Sequence, residues 1–182
     1  MGYIAGMEAI ESAGIDKEDL DYIIVAHNWG DVDKNTMYCN LLPNLASKIK
    51  NKLGIKNEDC IAYDINLGGA GFIYGLQSGA SVAGIINKPY VLMVMGDTVS
   101  KQLDRKFIND VDLRDGAAAM LIGQKNGAKP IFISLMADGN GYSSFMVPGG
   151  GFRQGLTEDY LIIDQEAIDK FFSDTIPVSV LS

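Results

Sequence analysis

The sequence is poor in cysteine, histidine and basic residues, and each shortage excludes a class of protein. Two cysteines and one histidine among 182 residues are too few for a disulfide framework or a structural zinc site, so we expect no metal. The 15 basic residues are outnumbered by 23 acidic ones, which gives a net charge of −8. Because binding to a phosphate backbone needs a basic face, we expect no nucleic-acid partner.

Long hydrophobic runs are also missing. No apolar run approaches the roughly 18–20 residues of a membrane span, and residues 1–6 lack the basic start of a signal peptide. We therefore expect no membrane association and a cytoplasmic location. With 47% hydrophobic and 21% charged residues, the chain has the composition of a globular protein. Its length suits one domain, or half of a larger two-part fold.

Apolar runs of strand length alternate with helical patterns along most of the chain. The predicted helices cover residues 2–13, 43–53, 68–86 and the second part of 161–172, with Pro43 opening the second helix. The predicted strands cover residues 22–26, 60–65, 90–95, 117–122 and 130–136, and a hairpin turn at 125–127 joins the last two. Alternating strands and helices predict an α/β fold with a mixed, mostly parallel sheet.

A glycine-rich turn follows the second predicted strand. Gly68, Gly69, Gly71 and Gly75 belong to a total of 21 glycines, and the turn joins a buried strand to a long helix. Such a turn lies at the carboxyl edge of the sheet, where α/β proteins bind ligands. It also directs the first free N–H groups of the helix towards that edge, which favours an anion or an oxyanion.

Three interpretations of this turn compete. The first is a dinucleotide site, because Gly69 and Gly71 have the spacing of the first two fingerprint glycines, but Tyr74 stands where the third is required. The second is structural, with small residues allowing the helix to pack close to the sheet. The third is a nucleophile elbow of the kind found in acyl-transfer enzymes, although the turn contains neither cysteine nor serine.

An ordered series of motifs between about residues 8 and 140 resembles the β-ketoacyl-acyl-carrier-protein synthase III family of the thiolase superfamily. The motifs are Asp21-Tyr22-Ile23-Ile24-Val25-Ala26, Leu53-Gly54, Ala62-Tyr63-Asp64-Ile65, Ala70-Gly71-Phe72, Asp104-Arg105, Asp115-Gly116-Ala117 and Ala137-Asp138-Gly139. The resemblance implies a thiolase-like layered fold with a five-stranded sheet, of which residues 1–182 would form a partial N-terminal half, truncated at both ends.

The resemblance also implies an acyltransferase function. The family, here most similar to its bacterial members, condenses acyl-CoA with malonyl-acyl-carrier protein in fatty acid biosynthesis. Acyl-CoA is a substrate, no separate cofactor is implied, and the default assembly is a homodimer. The family's nucleophile is a cysteine at the position of Gly69, and its catalytic His and Asn come from a later half. We therefore expect the chain to be inactive alone, with only the Gly69 backbone N–H left as an oxyanion donor.

Two alternatives to an acylating enzyme stay open. One is a non-catalytic homologue that binds or dimerises with an active synthase, and the other is a relative that decarboxylates malonyl thioesters.

Further residues carry expectations from the same resemblance. Arg105 matches an arginine near the CoA adenine and phosphates, and a solvated loop charge is the alternative. Leu42 matches an apolar residue that crosses a dimer interface, and ordinary packing at a helix start is its alternative. Arg114 stands where the family commonly has glycine, which places a bulky cation where a close backbone approach is expected.

His27 is expected to be a loop or interface residue rather than a catalytic base. The two cysteines, Cys39 and Cys60, are not expected to act as nucleophiles.

Overall fold

The computed structural model of the chain describes residues 1–33, 39–40, 42–67, 70–85, 90–104, 113–127, 129–149 and 160–181. Its first half contains α1 (Gly2–Ala13), β1 (Tyr22–His27), β2 (Asp31–Val32), β3 (Cys39–Asn40), α2 (Leu45–Leu53), β4 (Ile61–Asn66) and α3 (Gly71–Ala83). Its second half contains β5 (Tyr90–Asp97), β6 (Gly116–Gly123), β7 (Phe145–Met146), β8 (Ile162–Ile163) and α4 (Gln165–Leu181).

The main sheet has the strand order β4-β1-β5-β6. Strand β1 lies in the middle and pairs in parallel with both β4 and β5, with Tyr22 opposite Ile61 on one side and Val91 on the other. Strand β6 runs antiparallel to β5. Because both faces of β1 are covered, its five residues 23–27 are all buried, as the continuous apolar run predicts. The expected mixed, mostly parallel α/β sheet is thereby confirmed.

Helices cover both faces of this sheet. Ile23 and Val25 pack with residues of α1 and α2 in one cluster that includes Ile10, Ala46 and Ile49. Ile24 packs on the opposite face with Ala83 of α3. This division follows from the alternation of side chains along a strand. The result is a layered arrangement of helix, sheet and helix. Among the described helices, none combines the length and apolar character needed to cross a membrane.

Glycines end the first two helices. Gly14 and Gly54 adopt the left-handed conformation, with φ of 65° and 66°, which glycine adopts without steric cost. The start of α2 differs from the prediction that Pro43 opens it. The helix begins at Leu45, and Asn44 is its N-cap, whose side-chain oxygen accepts a hydrogen bond from Ser47 N at 2.9 Å. An asparagine that satisfies a free N–H fixes the boundary better than the proline before it.

The strand predicted at residues 130–136 is wrong. The described sheet has four strands rather than the five expected, and residues 130–136 contain no regular secondary structure. Gly127 does form the predicted turn, with φ of 78°. However, Ile131 is 67% exposed and Phe132 is 92% exposed. An apolar run becomes a strand only where a neighbouring strand and a packing surface are available to it, and within the described part of the chain no strand pairs with this segment.

Close packing between α3 and the sheet depends on glycine. A Cβ on Gly75 would lie 2.5 Å from Met93 Cε, and one on Gly79 would lie 2.6 Å from Ile122 Cδ1. Gly71, Gly75 and Gly79 recur every four residues and therefore share one helix face. The short distances support the structural interpretation for Gly75 and Gly79, whose missing side chains let the helix approach the strands.

We predict that Gly96→Ala destabilises the fold. A Cβ on Gly96 would lie 2.8 Å from the Gly116 carbonyl oxygen and 2.9 Å from Ala117 Cβ, where backbone must move to make room. The free energy of unfolding should fall by about 1–3 kcal/mol, measured by chemical denaturation. Gly139→Ala is the matched control, because nothing lies within 4 Å of that position. Equal stability of the two variants would contradict the close approach between β5 and β6.

Candidate functional site at the carboxyl ends of the parallel strands

Three polar residues end the three parallel strands. Strand β1 ends at His27, β4 at Asn66 and β5 at Asp97. The register places His27 opposite Asn66, so these residues lie along one edge of the sheet. The turn from β4 to α3 leaves from the same edge. This is the carboxyl edge at which parallel sheets characteristically bind ligands.

Asp97 fixes the loop that follows β1. Its Oδ1 accepts hydrogen bonds from the backbone N of Asn28 at 2.9 Å and of Trp29 at 3.4 Å, and its Oδ2 accepts one from Asn28 Nδ2 at 2.6 Å. Asn66 Nδ2 in turn donates to the Asn28 carbonyl oxygen at 2.6 Å. The ends of all three parallel strands are therefore joined through the backbone of Asn28.

His27 and Asp64 form a second connection at this edge. Nδ1 of His27 accepts a hydrogen bond from Gly30 N at 2.9 Å, so the proton of the neutral ring is on Nε2. That nitrogen lies 3.0 Å from Asp64 Oδ2 and donates to it. Only 7% of His27 is exposed. The expectation that His27 belongs to a loop is corrected, because it is the last residue of β1. Both of its ring nitrogens have partners within the chain.

Asp64 also holds the start of α2. Its two carboxylate oxygens accept hydrogen bonds from Leu45 N and Ala46 N, each at 2.8 Å. Burial opposes ionisation of this carboxyl, but the hydrogen bonds from His27, Ala46 and Leu45 outweigh burial and hold its pKa below the usual value. Hydrogen bonds to the charged form have this effect because they stabilise the carboxylate. Asp64 is therefore a charged group whose role is structural.

Ala70 is the N-cap of α3, the helix that follows the glycine turn. Among the described residues, no side chain caps this helix start, and its first turn contains no acidic residue. Within that part of the chain, the first N–H groups of α3 therefore have no side-chain acceptor, which suits a ligand at the edge. Gly71 is buried, and a Cβ there would lie 3.5 Å from Ala26 Cβ of β1. The described part of the helix thus starts directly above the end of the central strand.

The residues predicted from the resemblance do not all lie within the described structure. Gly69 and Arg105 fall outside the described residues. Leu42 is described, and it is 87% exposed just before α2. Arg114 donates from Nη1 to the Leu113 carbonyl oxygen at 3.0 Å. Asp115, next to it, accepts hydrogen bonds from the backbone N and hydroxyl of Ser100 at 2.8 and 2.6 Å.

The polar network of the strand ends is not predicted from the sequence. Asp64 stands out there only as part of a motif of the resemblance, and nothing local to Asn28, Asn66 or Asp97 indicates their partners. The available signal was the recurrence of polar residues where three buried strands end, because parallel strands bring such residues to one edge. No group of three or more His, Cys, Asp or Glu side chains suited to a metal ion occurs within the described ranges.

We predict that Asp64→Asn destabilises the protein in a pH-dependent way. The lowered folded-state pKa means that Asp64 contributes stability above its unfolded pKa of about 3.9, and that this contribution disappears as the pH falls through the folded value. Loss of the charged hydrogen bonds should cost about 2 kcal/mol at pH 7. The difference from the natural chain should shrink below about pH 4. Denaturation curves at several pH values test this.

Asp59→Asn is the control for that experiment, because Asp59 has an exposed side chain and should show neither effect. A constant difference between Asp64→Asn and the natural chain from pH 3 to pH 7 would rule out the ionised carboxylate as the stabilising group.

Comparisons with known proteins find a family model and relatives that resemble this chain. The family model described as 3-Oxoacyl-[acyl-carrier-protein (ACP)] synthase III matches residues 63–139, a range that includes the end of β4, the glycine turn, α3, β5 and β6. A β-ketoacyl-[acyl-carrier-protein] synthase III from Fusobacterium nucleatum is 31% identical over 182 residues, covering 95% of this chain and 52% of the relative. One from Vibrio vulnificus is 34% identical over 140 residues, covering 76% of this chain and 41% of the relative.

Solved structures show the same fold. A 3-oxoacyl-(acyl-carrier-protein) synthase III crystal structure superposes with a TM-score of 0.85 at 22% identity, covering 98% of this chain and 56% of that one. The synthase III from Pseudomonas aeruginosa gives a TM-score of 0.77 at 23% identity, with 98% and 54% covered. The chain spans about half the length of the relatives it matches. The family model, the sequence matches and the shared fold agree: the chain belongs to the 3-oxoacyl-acyl-carrier-protein synthase III family of the thiolase superfamily.

Proposed function

We propose that the chain is part of a synthase III-like protein of fatty acid biosynthesis that binds acyl-CoA at the carboxyl edge of its sheet but forms no acyl-enzyme by itself. The single observation behind this proposal is Gly69, which stands where the family has its nucleophilic cysteine. A glycine offers no thiolate, so the covalent step of acyl transfer cannot begin at this position.

The surroundings of the turn support retained thioester binding. Among the described residues, no side chain caps α3 and no acidic residue lies in its first turn, so its first N–H groups are suited to a carbonyl oxygen that gains negative charge. The network of Asn28, Asn66 and Asp97 fixes the neighbouring strand ends. These features polarise and orient a thioester without requiring a side chain at position 69.

Cys60 does not replace the missing nucleophile. It lies just before β4, at the amino end of that strand and therefore opposite to the glycine turn. It is buried, with 3% exposure. Burial raises the pKa of the Cys60 thiol, more than the nearby Lys50 lowers it, so the reactive thiolate is disfavoured. Cys60 therefore behaves as a core residue.

The partners follow from the family. Under this proposal the chain binds acyl-CoA, works in the cytoplasm beside malonyl-acyl-carrier protein, and forms a homodimer. Arg105 would contact the CoA phosphates, since a guanidinium suits phosphate oxygens. The catalytic His and Asn of the family would come from a segment beyond these residues.

We predict that Gly69→Cys creates an acylation site. Incubation with acetyl-CoA or a longer acyl-CoA, followed by intact-protein mass spectrometry, should show one added acyl group on the variant and none on the natural chain. Peptide mapping should place that group at position 69. Gly139→Cys is the matched control, because it adds a thiol at an exposed glycine away from the turn. Acylation of the natural chain, or equal labelling of both variants, would overturn the proposal.

A non-catalytic role is the second candidate, and the same glycine favours it. A homologue that retains the fold but lacks the nucleophile can act as a binding partner of an active synthase. Affinity purification from the native cell should then recover a cysteine-bearing paralogue. A related candidate is decarboxylation of malonyl thioesters, which needs no acylated cysteine, and release of CO2 from malonyl thioester by the full-length protein tests it.

We predict that Leu42 contributes to the homodimer. Its side chain is apolar and 87% exposed. Burial of that side chain by a partner would stabilise the dimer. Leu42→Asp should shift the protein towards monomer in analytical ultracentrifugation. Ile131→Asp is the control, because Ile131 is also well exposed, at 67%, but lies in the irregular segment after β6. Identical sedimentation of the natural chain and Leu42→Asp would argue against this interface.

A further inference from the structure

The turn after β6 contains an asparagine followed by a glycine, Asn126-Gly127. Strand β6 ends at Gly123, so neither residue belongs to the sheet. Both are exposed, and Gly127 has a φ of 78°. Apart from its chain neighbours, no described atom lies within 4 Å of the position that a Cβ on Gly127 would take. The turn therefore leaves open space beside the backbone at Gly127.

No hydrogen bond restrains the two groups that could react with each other in this turn. Among the described residues, none accepts or donates a hydrogen bond to the Asn126 carboxamide or to the backbone N of Gly127. The carboxamide can therefore rotate towards that nitrogen without losing a partner. Because glycine has no Cβ, its backbone nitrogen is open to a close approach. Attack of a backbone nitrogen on an asparagine side chain needs both conditions.

The sequence contains the same pair a second time, at Asn140-Gly141, but the surroundings differ. Asp138 Oδ1 accepts hydrogen bonds from both the backbone N and the side-chain Nδ2 of Asn140, each at 2.9 Å. Asn140 also lies inside a short 3-10 helix, Gly139–Gly141. Its carboxamide must leave Asp138 before it can turn towards the nitrogen of Gly141. Asn140 is as exposed as Asn126, so hydrogen bonding distinguishes the two positions.

We propose that Asn126 is a site of spontaneous deamidation, and that the hydrogen bonds to Asp138 protect Asn140 from the same reaction. The backbone nitrogen of Gly127 attacks Cγ of Asn126 and loses its proton, and the carboxamide nitrogen leaves with a proton as ammonia. The product is a cyclic imide, which water opens. Cleavage of one C–N bond of the ring gives aspartate, and cleavage of the other gives isoaspartate, in which the chain continues through the side-chain carbonyl.

The modified turn lies away from the proposed thioester site. Gly123 at the end of β6 is opposite Tyr90, the first residue of β5, so the chain leaves the sheet at the edge opposite to the glycine turn. Each conversion adds one negative charge there, in a chain whose net charge is already −8. The isoaspartate form also lengthens the backbone of the turn by a methylene group. The proposal therefore does not depend on acyl-CoA binding.

The test is storage of the folded 182-residue chain at mildly alkaline pH, followed by intact-protein mass spectrometry and peptide mapping. The mass should rise by the difference between a hydroxyl and an amino group. The peptide that contains position 126 should separate into aspartate and isoaspartate forms, and Asn126 should react several-fold faster than Asn140. Asn126→Gln is the matched control. It keeps a carboxamide, but attack would have to close a larger ring, so modification at this position should be lost.

Two further measurements separate the effect of structure from that of local sequence. Asp138→Ala removes the acceptor of both hydrogen bonds, so Asn140 should then react about as fast as Asn126. In guanidinium chloride the two asparagines of the unfolded natural chain should react at similar rates, because glycine follows each of them.

Four outcomes would overturn the proposal. The first is equal rates at Asn126 and Asn140 in the folded chain. The second is an unmodified Asn126 after a period that converts this position in the unfolded chain. The third is a difference between the two positions that persists in guanidinium chloride, and the fourth is an unchanged rate at Asn140 in Asp138→Ala.

Discussion

The carboxylate of Asp64 is the interaction on which the edge of the sheet depends. It lies on β4, accepts a hydrogen bond from His27 Nε2 at the end of β1, and accepts hydrogen bonds from two backbone N–H groups at the start of α2. One partly buried charge thus connects two strands and a helix. Such a group has no neutral substitute of equal strength, because an amide carries no charge and can accept fewer hydrogen bonds. The position of α2 relative to the sheet follows from it.

At the carboxyl edge of the sheet, a network of hydrogen bonds lies beside the turn that contains Gly69 in the sequence. Asn28, Asn66 and Asp97 fix the loop after β1 at this edge through short hydrogen bonds. Under the proposed function, glycine at position 69 lacks the nucleophile, while these hydrogen bonds do not depend on a side chain at that position. If the chain binds acyl-CoA as we propose, binding and covalent catalysis are separable in it, because the groups that orient a thioester differ from the group that would attack it.

Local chemistry explains which parts of the fold could be predicted from the sequence. Gly14 and Gly54 end helices because only glycine adopts their conformation freely, and the continuous apolar run of β1 predicted burial on both faces. Residues 130–136 have the composition of a strand, but their structure depends on a neighbour that no local pattern reveals. The strand-end network was missed for the same reason: Asp97 and Asn28 are 69 positions apart, and only the register of the sheet brings them together.

The glycine contacts of the fold also restrict how the sequence can diverge. Gly75 and Gly79 face the terminal atoms of Met93 and Ile122, so a larger residue on α3 can be offset by a smaller one on the strand. These positions are expected to covary among homologues. Gly96 faces a backbone carbonyl, and no change in a neighbouring side chain can make room there. As the sequence diverges, position 96 should therefore stay glycine. Larger side chains on α3 should be accompanied by smaller ones on the strands that it packs against.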